Sequence, residues 1–397
     1  MKRDFVSPLV KSLPPSGIRR FFDLVAEMDD VVSLGIGEPD FVTPWRIREA
    51  AIHSLKQGYT MYTSNQGLPE LRKAISDYWF ERRGIRYDYR REILITVGVS
   101  EALDLLMRAV LSPGDEVIMA EPSYVSYQPT VLLAGGVPRT VPTTLEDGFQ
   151  LKAAAIEKVI TDRTKVILLC SPNNPTGVTL QREVLADIAR LAVKYDLLVV
   201  ADEIYCELVY DEDYVSISQM PGMVDRVIVL NGFSKAFAMT GWRLGYAMGR
   251  EDVIAAMNKI HQYTMLCASI TSQKAALEAL RNGQRDREDM HQQYSERRRL
   301  IVHGLNEMGL DCLLPQGAFY VFPSIRATGL DSETFCERLL KEEKVAVVPG
   351  TAFGASGEGF VRCSYAASIA EIQEALTRME RFVRRYRRGA CASSEGV

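Results

Sequence analysis

Histidine and cysteine are scarce in this chain of 397 residues, and neither forms a metal-binding motif. The four histidines show no ligand spacing, and the seven cysteines contain no C-x-x-C pair. We therefore expect no metal centre. An odd number of cysteines, scattered from Cys170 to Cys391, is typical of reduced thiols in the cytoplasm and not of a disulfide framework.

Charge of one sign and long apolar runs are also missing. The chain has 47 Lys plus Arg against 51 Asp plus Glu, a net charge of −4. This balance gives no electrostatic reason to expect binding to nucleic acid or to an anionic membrane. No apolar run approaches the roughly 20 residues of a membrane span, and the start, Met1 to Phe5, becomes polar too soon for a signal peptide.

Several nucleotide and hydrolase motifs are absent as well. No glycine is followed by lysine, which excludes a P-loop. The G-x-S-x-G pattern fails at Ser100 and at Ser234, because alanine replaces the second glycine. The stretch that begins Gly35-Ile36-Gly37 lacks the third glycine of a dinucleotide fingerprint, and Pro39 would break the helix that must follow.

Short apolar runs alternate with amphipathic helical segments in the middle of the chain. The runs are Leu94–Val97, Glu116–Met119, Lys165–Leu169, Leu197–Val200 and Val227–Leu230. Near-continuous apolar strands separated by helices predict an α/β fold with a mostly parallel sheet covered on both faces. The next run, Leu244–Met248, follows too short a connection for a parallel crossover, so we expect that strand to be antiparallel.

A second, smaller α+β domain is expected after this sheet. Its strand candidates are Phe319–Phe322, Val345–Val348 and Phe360–Cys363. The pattern predicts a large domain over residues 46–285 and a small domain over residues 286–397. Residues 1–45 are expected to form an N-terminal segment that packs with the small domain.

Polar groups follow the predicted strands one after another, at the ends where ligands bind in sheets of this kind. The turn Gly98-Val99-Ser100 opens a helix and presents backbone N–H groups to an anion. The groups after the later strands are Asn174, Asp202, Tyr205, Ser234, Lys235 and Arg243. Each alone is as typical of a turn, a helix cap or a surface as of a site. Together they predict one pocket.

This combination of groups fits a phosphorylated aromatic aldehyde. Lysine forms Schiff bases when its amine is uncharged, and Lys235 is the lysine of the pocket. A carboxylate such as Asp202 beside a pyridine nitrogen keeps the ring protonated, which makes it an electron sink. Ser234 and Arg243, close to Lys235 in the chain, can hold a phosphate. The pocket therefore predicts pyridoxal 5′-phosphate as the cofactor.

Six stretches make the chain resemble fold-type I pyridoxal-phosphate enzymes, and among them the class I and II aminotransferases of the aspartate and aromatic subgroup. They are Gly35–Pro44, Tyr62–Arg72, Ser171–Gly177, Asp202–Tyr205, Ser234–Gly245 and Arg362–Ala366. The stretches run in the family's order over most of the chain. The resemblance implies a seven-stranded, mostly parallel sheet in the large domain and a homodimer with shared active sites.

The resemblance also implies roles for individual residues around the cofactor. Lys235 is expected to form the Schiff base and to move the proton at the substrate α-carbon. Asp202 is expected to pair with the pyridinium nitrogen, while Tyr205 and Asn174 donate to the phenolic oxygen. The remaining cofactor contacts implied are Val99, Ser100, Ser234 and Arg243 to the phosphate, Tyr62 to the phosphate of the partner subunit, and Tyr124 stacked on the ring.

For the substrate, the resemblance implies that Arg362 grips the α-carboxylate with both guanidinium nitrogens, assisted by Gly37 and Asn174. Ile18 and Phe22 of the N-terminal segment are expected to close over the substrate. No second cation dedicated to a side-chain carboxylate can be located in the sequence. Substrates of aromatic, aspartate or N-acetyl-LL-diaminopimelate type all stay open.

The function implied is an aminotransferase that moves the amino group of an L-amino acid to a 2-oxo acid by a ping-pong mechanism. A pyridoxal-phosphate-dependent C–S β-lyase is the alternative, because Arg362 would hold a carboxylate in either reaction. A non-catalytic effector-binding protein is disfavoured, because Lys235 and Arg362 are both present. The stretch before Gly35 is also too short for a helix-turn-helix domain.

Overall fold

The central element of the structure, a computed structural model that describes residues 3–13, 17 and 28–392, is a seven-stranded sheet. The strands of the described residues are β1 (Val32–Ser33), β2 (Ile93–Thr96), β3 (Glu116–Glu121), β4 (Val137–Pro142), β5 (Thr164–Cys170), β6 (Leu198–Asp202), β7 (Val227–Gly232), β8 (Gly245–Met248), β9 (Tyr320–Val321), β10 (Val345–Ala346), β11 (Val348–Pro349) and β12 (Val361–Ser364). The central order is β2-β8-β7-β6-β5-β3-β4. β8 runs antiparallel to both neighbours, and the other pairings are parallel. The predicted α/β class and the antiparallel strand are confirmed.

The edge strand β4 was not among the strands that the apolar pattern indicates. Pro138 and Pro142 interrupt it, and a proline cannot donate a ladder hydrogen bond. Because β4 pairs with β3 alone, its outer side needs no partner and tolerates both prolines.

Helices cover both faces of the sheet. The α-helices of the described residues are Pro8–Ser12, Trp45–Lys56, Pro69–Arg83, Gly98–Val110, Tyr127–Leu133, Ala153–Glu157, Arg182–Lys194, Glu251–Thr264, Ile270–Asn282, Gln284–Glu307, Ser332–Glu343 and Ile369–Ala392. Neighbouring residues of one strand enter different cores: Ile118 packs in a cluster with Trp79, whereas Val117 and Met119 pack in another with Leu106. This burial on both faces explains why the strands read as continuous apolar runs.

The C-terminal part forms a separate core around a three-stranded antiparallel sheet of order β11-β12-β9. The apolar run Val345–Val348, expected as one strand, is divided into two. Its first half, β10, pairs in parallel with β1 of the N-terminal segment, and its second half, β11, pairs with β12. The chain changes sheets at Val347, which an unbroken apolar run cannot reveal.

Residues 28–41 of the N-terminal segment lie against the C-terminal part. Leu34 is fully buried in the same core as Val345 and Phe319. Asp40 accepts from the Arg297 guanidinium at 2.8 Å. The domain limits at residues 45 and 285 stay predictions. Within the described residues, no helix has the length and hydrophobicity to cross a membrane.

Candidate active site

A cavity of about 930 Å³ lies where the central sheet meets the C-terminal part. The predicted site residues that line it are Gly37, Val99, Ser100, Tyr124, Asn174, Asp202, Tyr205, Ser234, Lys235, Arg243 and Arg362. Most of them follow the carboxyl ends of parallel strands, as the sequence pattern predicts. Of the twelve site residues predicted, Tyr62 alone does not line this cavity.

Lys235 lies three residues after β7 and points into this cavity. Its Nζ donates to the carbonyl oxygen of Gly37 at 2.7 Å. Burial is the main cause that lowers the pKa of Lys235 to about 8; the nearby charges of Arg362 and Arg243 act in the same direction, whereas Glu38 and Asp202 oppose the change. Roughly a tenth of the amine is therefore uncharged at pH 7, far more than for an ordinary lysine, and nucleophilic and general-base chemistry require this uncharged form.

Asp202, the last residue of β6, has a fully buried carboxylate. Burial raises its pKa to about 6, and hydrogen bonds from Tyr127 and from the backbone of Ile204 limit the rise. The Tyr127 hydroxyl donates to Oδ2 at 2.7 Å, and Ile204 N–H donates to Oδ1 at 3.2 Å. Asp202 can therefore carry negative charge at neutral pH beside a cationic ligand atom. The sequence reasoning missed Tyr127, whose only local signal is its place three residues after Tyr124.

The helix Gly98–Val110 begins at the cavity wall, with its first turn close to Arg243. Gly98 has a φ of +76°, and a Cβ there would come within 2.8 Å of Arg243 Nη2. A Cβ on Gly245 would lie 2.7 Å from the backbone nitrogen of Val99. Glycine at these positions thus allows Arg243 and the start of β8 to lie close to the helix N-terminus. Backbone N–H groups and a guanidinium at one place are suited to a phosphate.

Arg362, in the middle of β12, is 2% exposed. Its Nη1 donates to Asn174 Oδ1 at 3.0 Å, and its Nη2 donates to the Gly35 carbonyl at 2.7 Å. The rings of Tyr320 and Phe353 lie 4.5 and 4.9 Å from the guanidinium carbon. A planar cation held in this way can bind a carboxylate with both terminal nitrogens.

Tyr320 of β9 connects these groups, although sequence reasoning placed it only in an apolar strand. Its hydroxyl lies 3.0 Å from the hydroxyl of Tyr205 and donates to the Gly37 carbonyl at 3.3 Å. The same carbonyl accepts from Lys235. Tyr320 therefore contacts the Tyr205 hydroxyl directly and is linked to the Lys235 amine through the Gly37 carbonyl oxygen.

Three predicted residues are not among those that line the cavity in the described part of the chain. Tyr62 is 79% exposed on the surface of the single chain, which is the place expected for a residue that acts in a partner subunit. Ile18 and Phe22 lie outside the described residues, so their role stays a prediction.

Comparison with known proteins agrees with this geometry. The family model described as "Aminotransferase class I and II" matches residues 29–379. YugH of Bacillus subtilis, whose name gives the class aminotransferase and no substrate, is 55% identical over 96% of this chain and 98% of its own length. An aspartate aminotransferase of Pyrococcus abyssi is 46% identical over 93% of this chain and 96% of its own. The crystal structure of an aromatic aminotransferase from Pyrococcus horikoshii OT3 has a TM-score of 0.88 at 45% identity, covering 92% and 99% of the two chains.

The chain is a class I and II aminotransferase. Its fold is fold type I, and its cofactor is pyridoxal 5′-phosphate. The cavity of this aminotransferase fits that cofactor by its donor set, with a helix N-terminal turn suited to a phosphate, a buried carboxylate and an amine of lowered pKa. The Nε atom of Arg362 is buried without a hydrogen-bond partner among the described residues, and it lies beside a cavity large enough for cofactor and substrate.

Proposed function

We propose that this aminotransferase carries out both half-reactions of a ping-pong transamination in the one cavity, first with an L-amino acid and then with a 2-oxo acid. The observation that carries the proposal is the pair of side chains, Lys235 and Arg362, that face this cavity. Lys235 offers an amine of pKa about 8, and Arg362 offers a carboxylate-binding guanidinium. Donor and acceptor share an α-carboxylate, so the same Arg362 serves both half-reactions.

We assign a separate role to each group of residues that lines the cavity. The bound cofactor supplies an aldehyde that takes the amino group and a ring that accepts the electrons of the α-carbon. We assign the phosphate to Val99, Ser100, Ser234 and Arg243, and the ring to Tyr124. Asp202 would hold the proton on the ring nitrogen, while Tyr205 and Asn174 would donate to the phenolic oxygen. Lys235 would move the proton at the α-carbon, and Arg362 would orient the α-carboxylate with help from Gly37 and Asn174.

We propose amino acids with an aromatic side chain as the first substrates to test. Among the described residues that line the cavity, the cations are Lys235, Arg243 and Arg362, and each has a role already. None is left for the second carboxylate of aspartate. Tyr320, which also lines the cavity, offers ring surface for an aromatic side chain. The names of the relatives include both aspartate and aromatic aminotransferases, so both classes belong in the test.

The visible absorption spectrum of the purified protein tests this function. Addition of an amino acid alone should bleach the pyridoxal band, and addition of a 2-oxo acid should restore it. Repetition with phenylalanine, tyrosine, aspartate and N-acetyl-LL-diaminopimelate ranks the donors. A band that bleaches only with aspartate would overturn the aromatic proposal. Release of a thiol from a cysteine conjugate, with the pyridoxal band retained in the absence of any 2-oxo acid, would indicate a β-lyase.

The rate at which Lys235 adds to pyridoxal phosphate is expected to depend on pH. The amine must be uncharged to add, and its pKa is lowered to about 8, with burial as the main cause. The rate should therefore rise about tenfold per pH unit well below pH 8 and level off above it. Stopped-flow absorbance of the apoprotein measures this profile. A rate that still climbs near pH 10, as for an ordinary lysine, would contradict the assignment.

Tyr62 is expected to complete the site of the partner subunit in a homodimer. Lys235→Ala and Tyr62→Ala each remove one component of the site. Either variant alone should therefore have low activity when the cofactor concentration is limiting. After the two are mixed and reassembled, hybrid dimers hold one site with both residues intact. Roughly a quarter of the wild-type activity should return, since about half of random dimers are hybrids. No recovery, with hybrids shown by mass spectrometry, would contradict a role of Tyr62 in the partner's site.

A further inference from the structure

Behind the Gly98–Ser100 turn, Glu101 and His261 form a buried pair to which none of the roles above applies. Glu101 lies on the helix Gly98–Val110 with its side chain 11% exposed, and His261 lies on the helix Glu251–Thr264 with none of its side chain exposed. His261 Nδ1 is 2.7 Å from Glu101 Oε1. The nitrogen donates in this contact when the carboxylate, which has only lone pairs to offer, is ionised.

Glu101 is the hydrogen-bond partner that fixes the histidine ring. The other ring nitrogen, Nε2, is buried and has no hydrogen-bond partner in the part of the chain that the structure describes. A buried polar ring is costly unless it is hydrogen-bonded. The contact with Glu101 therefore determines where the ring sits, and the ring in turn determines where the carboxylate sits.

The second oxygen of Glu101 holds the backbone of the turn itself. Oε2 accepts from Val97 N–H at 2.5 Å, and Thr96 Oγ1 donates to the Gly98 carbonyl at 3.0 Å. Val97 occupies the N-cap position and has no side-chain acceptor, so the usual cap of a helix N-terminus is missing. Glu101 instead fixes the N–H of Val97 from behind the turn, and the N–H groups of the cavity-lining Val99 and Ser100, which have no side-chain cap, are left for an anion.

Packing between the two helices makes this support rigid. Ala102 and Leu106 of one helix join Ile254 and Met257 of the other in one buried cluster. A binding group that is held in place before the ligand arrives loses less freedom on binding, which increases affinity.

We propose that Glu101 and His261 are positioning residues for the cofactor phosphate, a proposal that rests on the phosphate-binding role assigned above to the Gly98–Ser100 turn. The pair acts through hydrogen bonds to the turn and not through its charge. A carboxylate close to a phosphate is repulsive, so its charge alone would weaken binding.

The test compares the affinity of the apoprotein for pyridoxal 5′-phosphate and for pyridoxal, measured by absorbance titration. Glu101→Leu removes both accepted hydrogen bonds and should weaken binding of the phosphorylated ligand about tenfold, with little change for pyridoxal. Glu101→Gln keeps an acceptor for Val97 N–H and should bind both ligands nearly as the wild type does. His261→Leu should show a smaller loss, again confined to the phosphorylated ligand.

Asp104→Asn is the matched control, because Asp104 lies on the same helix and pairs with Arg108 instead. It should leave both affinities unchanged. Equal losses for both ligands in Glu101→Leu would show a merely structural role and overturn the proposal, as would no loss at all. A Glu101→Gln variant as weak as Glu101→Leu would overturn it too. Failure of the wild type to bind pyridoxal phosphate more tightly than pyridoxal would overturn the proposed phosphate site itself.

Discussion

Replacing Lys235 by alanine is expected to lower the rate of transamination by about 10⁴-fold, the upper range for removal of a group that transfers a proton. The structure places no other lysine on the described wall of the cavity. The phosphate-binding groups remain, so pyridoxal phosphate should still bind to this variant. Single-turnover absorbance with a saturating amino acid measures the rate, and borohydride reduction followed by mass spectrometry shows whether any lysine has become labelled.

Lys165→Ala is the control for this result. Lys165 lies near the opposite end of β5 from the cavity and pairs with Asp115 at the surface. Its loss should leave the rate unchanged. A Lys235→Ala variant that keeps a rate within tenfold of the wild type would contradict the role of Lys235.

The Arg362→Lys substitution is expected to lower kcat/KM by on the order of 100-fold to 1,000-fold. Lysine keeps the positive charge but cannot bind a carboxylate with two parallel N–H donors. It also leaves Asn174 Oδ1 or the Gly35 carbonyl without its donor. Steady-state kinetics at several amino acid concentrations measure the change.

Cofactor affinity is the internal control for Arg362→Lys, because Arg362 is assigned to the substrate. It should change little. Arg299→Lys, an exchange at a side chain that is 65% exposed, should leave kcat/KM unchanged. An Arg362→Lys variant with normal kcat/KM would assign the α-carboxylate to another group.

The strand ends were the most predictable part of this molecule. Asp202 and Lys235 follow apolar runs that are buried on both faces, so the sequence pattern alone places them at one edge of the sheet. Arg362 is different: nothing local distinguishes it from a surface arginine, and only the resemblance indicated its role. The structure places its side chain in the cavity.

Tyr127 and Tyr320 show why the rest could not be predicted. Their partners Asp202 and Tyr205 lie 75 and 115 residues away along the chain. The first bond depends on how the helix Tyr127–Leu133 packs on the central sheet, and the second on how the C-terminal part docks against it; periodicity and spacing encode neither. The edge strand β4 was missed for a local reason, because its two prolines are typical of a loop.

Three stretches that are distant in sequence meet at the carbonyl oxygen of Gly37, which accepts from Lys235 of the large domain and from Tyr320 of the C-terminal part. In the roles proposed above, the central sheet holds the cofactor and the C-terminal part supplies Arg362 for the substrate, so cofactor capture and amino acid turnover would depend on different parts of the fold. Loosening the C-terminal core should abolish turnover while the central sheet still takes up the cofactor. A preparation that is fully yellow yet inactive would then indicate incomplete docking of the C-terminal part, and colour alone would not measure correct folding.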